Sequence, residues 1–167
     1  NNVEICRRGV DGPVTEITVE AWNQILGVNL MGVFLCCKYG IPEIVRSGGG
    51  SVINVSSSAG VIGVPNCDAY TASKGAIIAL TRSMAVEYAP RGVRVNCIVP
   101  CAVETPMLDE SSRKDPSFDE KEFLSTTPLR RFGRPEEIAN MALFLASDEA
   151  SYAVGGVFVM DGGVTIT

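Results

Sequence analysis

The sequence predicts an α/β fold built on a parallel sheet, and three observations predict it. Apolar residues at helical spacing alternate along the chain with short runs rich in Val and Ile. The run Val93–Val99 (V-R-V-N-C-I-V) has the near-continuous apolar content of a strand buried on both faces, as parallel strands are. The 167 residues, 46% hydrophobic and 20% charged, fit a single globular domain with a sizeable core.

The elements follow in order. Residues 15–46 carry helix periodicity, with Thr15 or Thr18 as the cap and Trp22, Ile25, Leu26, Leu30, Phe34 and Leu35 along one side. Gly27 and Asn29 disfavour a straight helix, so a local break is expected near Asn29. Ser47-Gly48-Gly49-Gly50 ends the helix, and Ser51 to Ser56 reads as a short strand. A loop through Gly60, Gly63 and Pro65 leads to a second helix, about Asp68 to Tyr88, closed by Pro90 and Gly92. After the strand at 93–99, residues 104–132 are polar and broken by Pro106, Pro116 and Pro128, with a helical piece around 118–125. That is too long for an ordinary connection and reads as a functional loop or lid. Pro135, followed by Glu136 and Glu137, opens a helix with Ile138, Met141, Ala142, Leu143 and Leu145 on its apolar face, ending near Ser147. Val157 to Met160 is the last strand.

Composition excludes several function classes. The chain contains no histidine, so imidazole bases, Ser-His-Asp and Cys-His nucleophile systems and histidine metal sites are ruled out. Its net charge of −5 and pI near 4.8 argue against a nucleic-acid footprint. The six cysteines form no C-x-x-C pair, so no metal cluster is expected and they read as buried free thiols of a reducing compartment. No basic-then-apolar leader and no apolar run of membrane-spanning length is read in the sequence, which makes the cytoplasm the expected location and excludes a membrane partner.

Acid–base chemistry must then come from Tyr, Lys, Asp, Glu or Cys. Tyr70 and Lys74 lie four apart on the second helix and share a face. A phenol has a pKa near ~10 and is a poor base at neutral pH. An ammonium at ~4 Å, with an effective dielectric of ~20, favours phenolate by up to ~4 kcal/mol, enough to bring it near neutrality. Such a pair alone is more often a solvated surface pair. Ser57, at the end of the preceding strand, adds a hydroxyl where α/β ligand sites form, although in the run Ser56-Ser57-Ser58 it also reads as a turn residue.

The motifs V-N-L-M-G-V-F (28–34), G-S-V-I-N-V-S-S-S-A-G (50–60), Y-T-A-S-K-G-A (70–76), R-V-N-C-I-V-P (94–100), V-E-T-P-M (103–107), R-F-G-R-P-E-E-I-A (131–139) and V-M-D-G-G (159–163) stand in order over nearly the whole chain. In them the chain resembles the short-chain dehydrogenase/reductase family. The resemblance implies a Rossmann-like doubly wound parallel sheet, and a hydride transfer between NAD or NADP and a ketone/secondary-alcohol substrate. It makes Tyr70 the general acid/base and Lys74 the residue that lowers its pKa and holds the nicotinamide ribose. It makes Ser57 the ligand of the substrate oxygen, with Ser56 as the alternative. Asn29 becomes the helix-kinking residue that holds a water in the proton relay. Asn2, Pro100, Val103 and Thr105 join Tyr70 and Lys74 as cofactor contacts. It also implies a homodimer or homotetramer, paired through the helices at 15–46 and 68–88.

Three departures qualify the resemblance. The Gly-rich phosphate loop and the N-terminal strands are absent, so residues 1–167 read as one N-terminally incomplete domain of a longer polypeptide. Val3 and Glu4 stand in place of the two small residues of N-N-A-G, which puts a negative charge near the dinucleotide. Cys101 follows Pro100 where the family has glycine. The alternative reading is a non-catalytic subunit or binding module with impaired dinucleotide binding.

Overall fold

The computed structural model describes residues 1–2, 4–6, 9–114 and 118–167; Val3 and Pro116 lie outside the described residues. Helix α1 spans Val19–Arg46, and Thr18 caps it by accepting from the Ala21 N–H at 3.1 Å. Residues 13–17 form a turn in which the N–H groups of Glu16 and Ile17 donate to Pro13 O, which starts the helix at the later of the two candidate caps. No break occurs at Asn29. The Asn29 amide is buried and bonds to Ile5 and Ser73 rather than to its own helix, and these tertiary bonds offset its poor helix propensity.

The buried stripe of α1 steps by four through Ala21, Ile25, Asn29, Val33, Cys37 and Ile41. It is narrower than the face read from the sequence, and it leaves Phe34 and Leu35 more than 40% exposed. By length and composition α1 is apolar enough to cross a membrane, contrary to the expectation from the sequence; here it packs on the sheet and on the next helix. Gly48 and Gly49, both at positive φ, turn the chain into β1 (Gly50–Val55).

Helix α2 (Asp68–Tyr88) and strands β2 (Val93–Pro100) and β3 (Val157–Met160) lie where the sequence puts them, within a residue. Between β2 and β3 come α3 (Pro106–Leu108), a wider helical turn at Asp109–Arg113, α4 (Glu120–Thr126) and α5 (Pro135–Ala146). The strands form a parallel sheet in the order β1-β2-β3, with Gly50 opposite Val93 and Cys97 opposite Val157. Asn1 lies along the other edge of β1, where its ammonium donates to Ile53 O at 2.8 Å and its carbonyl accepts from Val55 N at 3.1 Å.

Alternation along β1 and β2 divides the core into two layers. Val52, Val93, Val95, Cys97 and Val99 pack with Val33, Ile41 and Ile77 under α1 and α2. Ile53 and Ile98 point the other way, to Leu145, Ile138 and Met141 of α5. Leu143, read as part of that apolar face, is instead 71% exposed. Cys37, Cys67 and Cys97 are buried, but Cys36 is exposed and Cys6 and Cys101 are half-buried, so the thiols are not all interior. Among the described residues no group of His, Cys, Asp or Glu has the arrangement of a metal site.

Candidate active site

The site forms at the carboxyl ends of β1 and β2, where the first residues of α2 pass beneath the loop that leaves β1. Two contacts fix the height of α2 here. Ser56 Oγ, buried at the strand end, donates to Lys74 O at 2.8 Å. Gly60 lies so close to the helix that a Cβ on it would stand 2.8 Å from the Lys74 carbonyl carbon and 2.9 Å from Gly75 N. Only glycine allows that approach without a shift of the backbone.

Ser57 begins the next turn, where its hydroxyl accepts from Ala59 N at 3.3 Å. Its side chain also faces the Tyr70 phenol and lowers the phenol's pKa. The two serines therefore have separate places, Ser56 on the helix backbone and Ser57 on the phenol. Tyr70 is 9% exposed, packed with Ile25, Cys67 and Ala69 and flanked by the half-buried Trp22.

Lys74 Nζ lies 5.4 Å from the centroid of the Tyr70 ring, and the residue is 1% exposed. Its ammonium pairs with the Glu4 carboxylate and donates to Val55 O at 3.4 Å. Burial pushes the Lys74 pKa down to about 8, because the charged form loses its water. The adjacent Glu4 carboxylate favours that charge.

The phenol behaves differently from the expectation. Burial raises the Tyr70 pKa, the Ser57 side chain offsets this only in part, and the thiols of Cys6, Cys67 and Cys101 raise it further. The lysine ammonium lies over the Tyr70 ring and is paired with Glu4. Tyr70 thus holds its proton at neutral pH.

Asn29 joins the group through α2. Its Nδ2 donates to Ser73 Oγ at 3.2 Å and to Ile5 O at 3.0 Å, and its Oδ1 accepts from Ile5 N at 2.8 Å. Ser73 Oγ in turn donates to Tyr70 O at 2.7 Å. The structure thus brings together Asn29, Ser57, Tyr70 and Lys74.

The other residues named from the sequence stand apart from this network. Asn2 is exposed. Pro100 ends β2 opposite Met160, and Val103 bridges to Gly133. Thr105 Oγ1 turns back to Val103 O at 3.2 Å. Beside them Phe123 stacks on Phe132 with centroids 5.7 Å apart, and a hollow of about 280 Å³ opens between Cys101, Phe123, Leu129, Phe132 and Met160.

Two carboxylates escaped the sequence reading. Glu4 was read as a charge near a dinucleotide, but its partnership with Lys74, 70 positions away, has no local signal. Asp11 sits in an Asp-Gly-Pro stretch that reads only as a turn, yet it is buried and bonded to the first turn of α2.

Over residues 1–165 the chain matches the protein family described as enoyl-(acyl carrier protein) reductase. It is 39% identical over 150 residues to the cyclohexanol dehydrogenase of Acinetobacter sp. (strain SE19), covering 90% of this chain and 57% of that protein. It is 42% identical over 166 residues to the 3-oxoacyl-(acyl-carrier-protein) reductase FabG of Thermotoga maritima, covering 99% of this chain and 65% of that one. A solved gluconate 5-dehydrogenase from Burkholderia cenocepacia, in complex with NADP and tartrate, superimposes with a TM-score of 0.91 at 29% identity, over 99% of this chain and 63% of that one. The chain thus spans less than two thirds of the length of each of these three proteins.

Proposed function

The chain belongs to the short-chain dehydrogenase/reductase family, and from that membership we propose that it is an NAD(P)-dependent oxidoreductase acting on a ketone/secondary-alcohol pair. The observation that carries the reading is the grouping of the buried Tyr70 and Lys74 of α2 with the half-buried Ser57 just after β1, an acid, a cation and a hydroxyl side by side. A nicotinamide dinucleotide, when bound, supplies or accepts the hydride.

The Tyr70 hydroxyl and the Lys74 ammonium suit the hydroxyls of a nicotinamide ribose, which would have to take the ammonium from Glu4. Lys74 and Tyr70 would hold the ribose, and Asn2, Pro100, Val103 and Thr105 would complete the contacts. Tyr70, protonated at neutral pH, donates its proton to the carbonyl oxygen in reduction and takes it back in oxidation, while Ser57 binds the same oxygen. Asn29 would hold a water in the relay that returns the proton by way of Lys74. Residues 104–132 act as the substrate lid over a partly apolar pocket. A cytoplasmic homodimer or homotetramer paired through α1 and α2 completes the proposal. The printed activities of the relatives, on cyclohexanol and on 3-oxoacyl groups, mark the substrate classes to try first.

The test is turnover of cyclic secondary alcohols and 3-oxoacyl thioesters with each dinucleotide, in the parent and in Tyr70→Phe. The variant is expected to lose about 10²–10⁴-fold in rate while binding the dinucleotide within a few-fold of the parent. A rate within a few-fold of the parent overturns the role of Tyr70.

A second reading, the non-catalytic subunit, is favoured by the Glu4 carboxylate on the very ammonium that the ribose would need. Fluorescence titration with NADH and NADPH separates the two. Micromolar binding by the parent ends the second reading, whereas binding only by Glu4→Gly supports it.

A further inference from the structure

The N–H groups in the first turn of an α-helix have no partners within the helix, and α2 is not capped by its own sequence. Its cap position is Cys67, which makes no side-chain cap bond. The acceptor comes instead from a loop 58 and 59 positions upstream. Asp11 Oδ1 accepts from Ala69 N at 3.1 Å and from Gly12 N at 2.8 Å, and Asp11 Oδ2 accepts from Tyr70 N at 2.8 Å. The residue is 8% exposed, and a carboxylate at this end of a helix also meets the positive end of the helix dipole. The bonding is reciprocal, since Asp68 Oδ2 accepts from Val14 N at 2.8 Å and Asp68 N donates to Gly12 O at 3.4 Å.

We propose that Asp11 is a positioning residue for Tyr70, clamping the peptide N–H of the acid/base itself. The proposal rests on the role of Tyr70 argued above. Within one turn α2 is held at two points, by Asp11 at Tyr70 N and by Ser56 at Lys74 O. The residues between them carry the phenol and the ammonium. Releasing the first point frees the end of the helix that sets the distance from the phenol to Ser57, while Lys74 stays pinned. A displacement of about 1 Å in a reacting group costs up to about 10²-fold in rate.

The experiment compares Asp11→Ala and Asp11→Asn with Thr18→Ala, which removes the cap of a different helix. In the protein as isolated, kcat is expected to fall about 10- to 100-fold in Asp11→Ala with KM changed less than threefold. Asp11→Asn, which keeps one acceptor oxygen, should recover part of that loss. Thr18→Ala, at a comparable drop in melting temperature, should stay within threefold of the parent. Equal rate losses in Asp11→Ala and Thr18→Ala overturn the proposal.

Two measurements need no turnover. Hydrogen exchange should show the amides of Ala69 and Tyr70 protected in the parent and unprotected in Asp11→Ala, and the ultraviolet titration of the Tyr70 phenol should shift. Unprotected amides in the parent, or an unchanged titration, overturn the proposal even if Asp11→Ala is too unstable to assay or the parent turns over nothing. A parent with no turnover but with both signals present overturns the proposed reaction and leaves the clamp standing.

Discussion

The turn of α2 that carries Tyr70 and Lys74 and the segment 104–132 each follow a strand of the sheet, yet they are held by opposite means. The first is fixed by buried bonds to backbone: Asp11 on Tyr70 N, Ser56 on Lys74 O and the close approach of Gly60. The second is gathered around a side chain in contact with water. Arg113 reaches Glu104, Asp109 and Glu120 at 2.8–3.1 Å and lies 5.2 Å from the centroid of the Phe132 ring. Buried bonds to backbone are broken only by moving the chain, whereas exposed ion pairs compete with water and are screened by salt. A firmly fixed turn beside a segment that opens more readily is the contrast this difference predicts.

Several measurements would break or sharpen that contrast. The largest effect is expected for Tyr70→Phe, with its rate loss of about 10²–10⁴-fold. The same variant identifies the phenol in an alkaline titration followed by ultraviolet absorbance. The signal missing from the variant should rise above the ordinary phenol value of ~10, because burial favours the protonated form. A missing signal below that value means the site is wetter than the fold implies.

The next effect concerns pH. Lys74 is charged below its pKa of about 8 and neutral above it. Turnover that needs the ammonium should therefore hold below pH 8 and fall by up to about tenfold per unit above it. A rate that keeps rising through pH 9 removes the ammonium from the mechanism.

Smaller still is the expected cost of Gly60→Ala, about 1–3 kcal/mol in chemical denaturation, because a Cβ there meets the backbone of α2. A loss of only a few tenths would show that the loop yields and that the site is looser than drawn.

The smallest effect should come from Arg113→Ala. Its melting temperature should stay close to that of the parent, while proteolysis within 104–132 accelerates. High salt should bring the parent's cleavage rate up to that of the variant, and salt-independent cleavage would refute the ion-pair account.

What could be read without coordinates depended on how local the signal was. The ends of α2 were legible because Pro90 and Gly92 close it, and β3 because a short β-branched run stands between a Gly pair and an Asp-Gly-Gly stretch. Tyr70 and Lys74 shared a face by helical arithmetic, and Ser57 followed from the strand end. The width of the buried stripe on α1 was misjudged, since Phe34 and Leu35 are apolar yet the sheet and α2 reach only one step-of-four row. The break at Asn29 was wrong for a related reason. Propensity sees an amide in a helix and cannot see the Ile5 backbone that satisfies it.

The sequence by itself determined the alternation of strands and helices, the parallel order they imply and the pairing of a phenol with an ammonium on one helix. Those features rest on periods of two and 3.6 residues and on turn chemistry, which act over a few positions. The tertiary structure alone decided the protonation of Tyr70, the partner of Lys74 and the clamp at Tyr70 N. Each depends on groups 13 to 70 positions apart and on how much water the packed core excludes, and no local pattern carries either quantity.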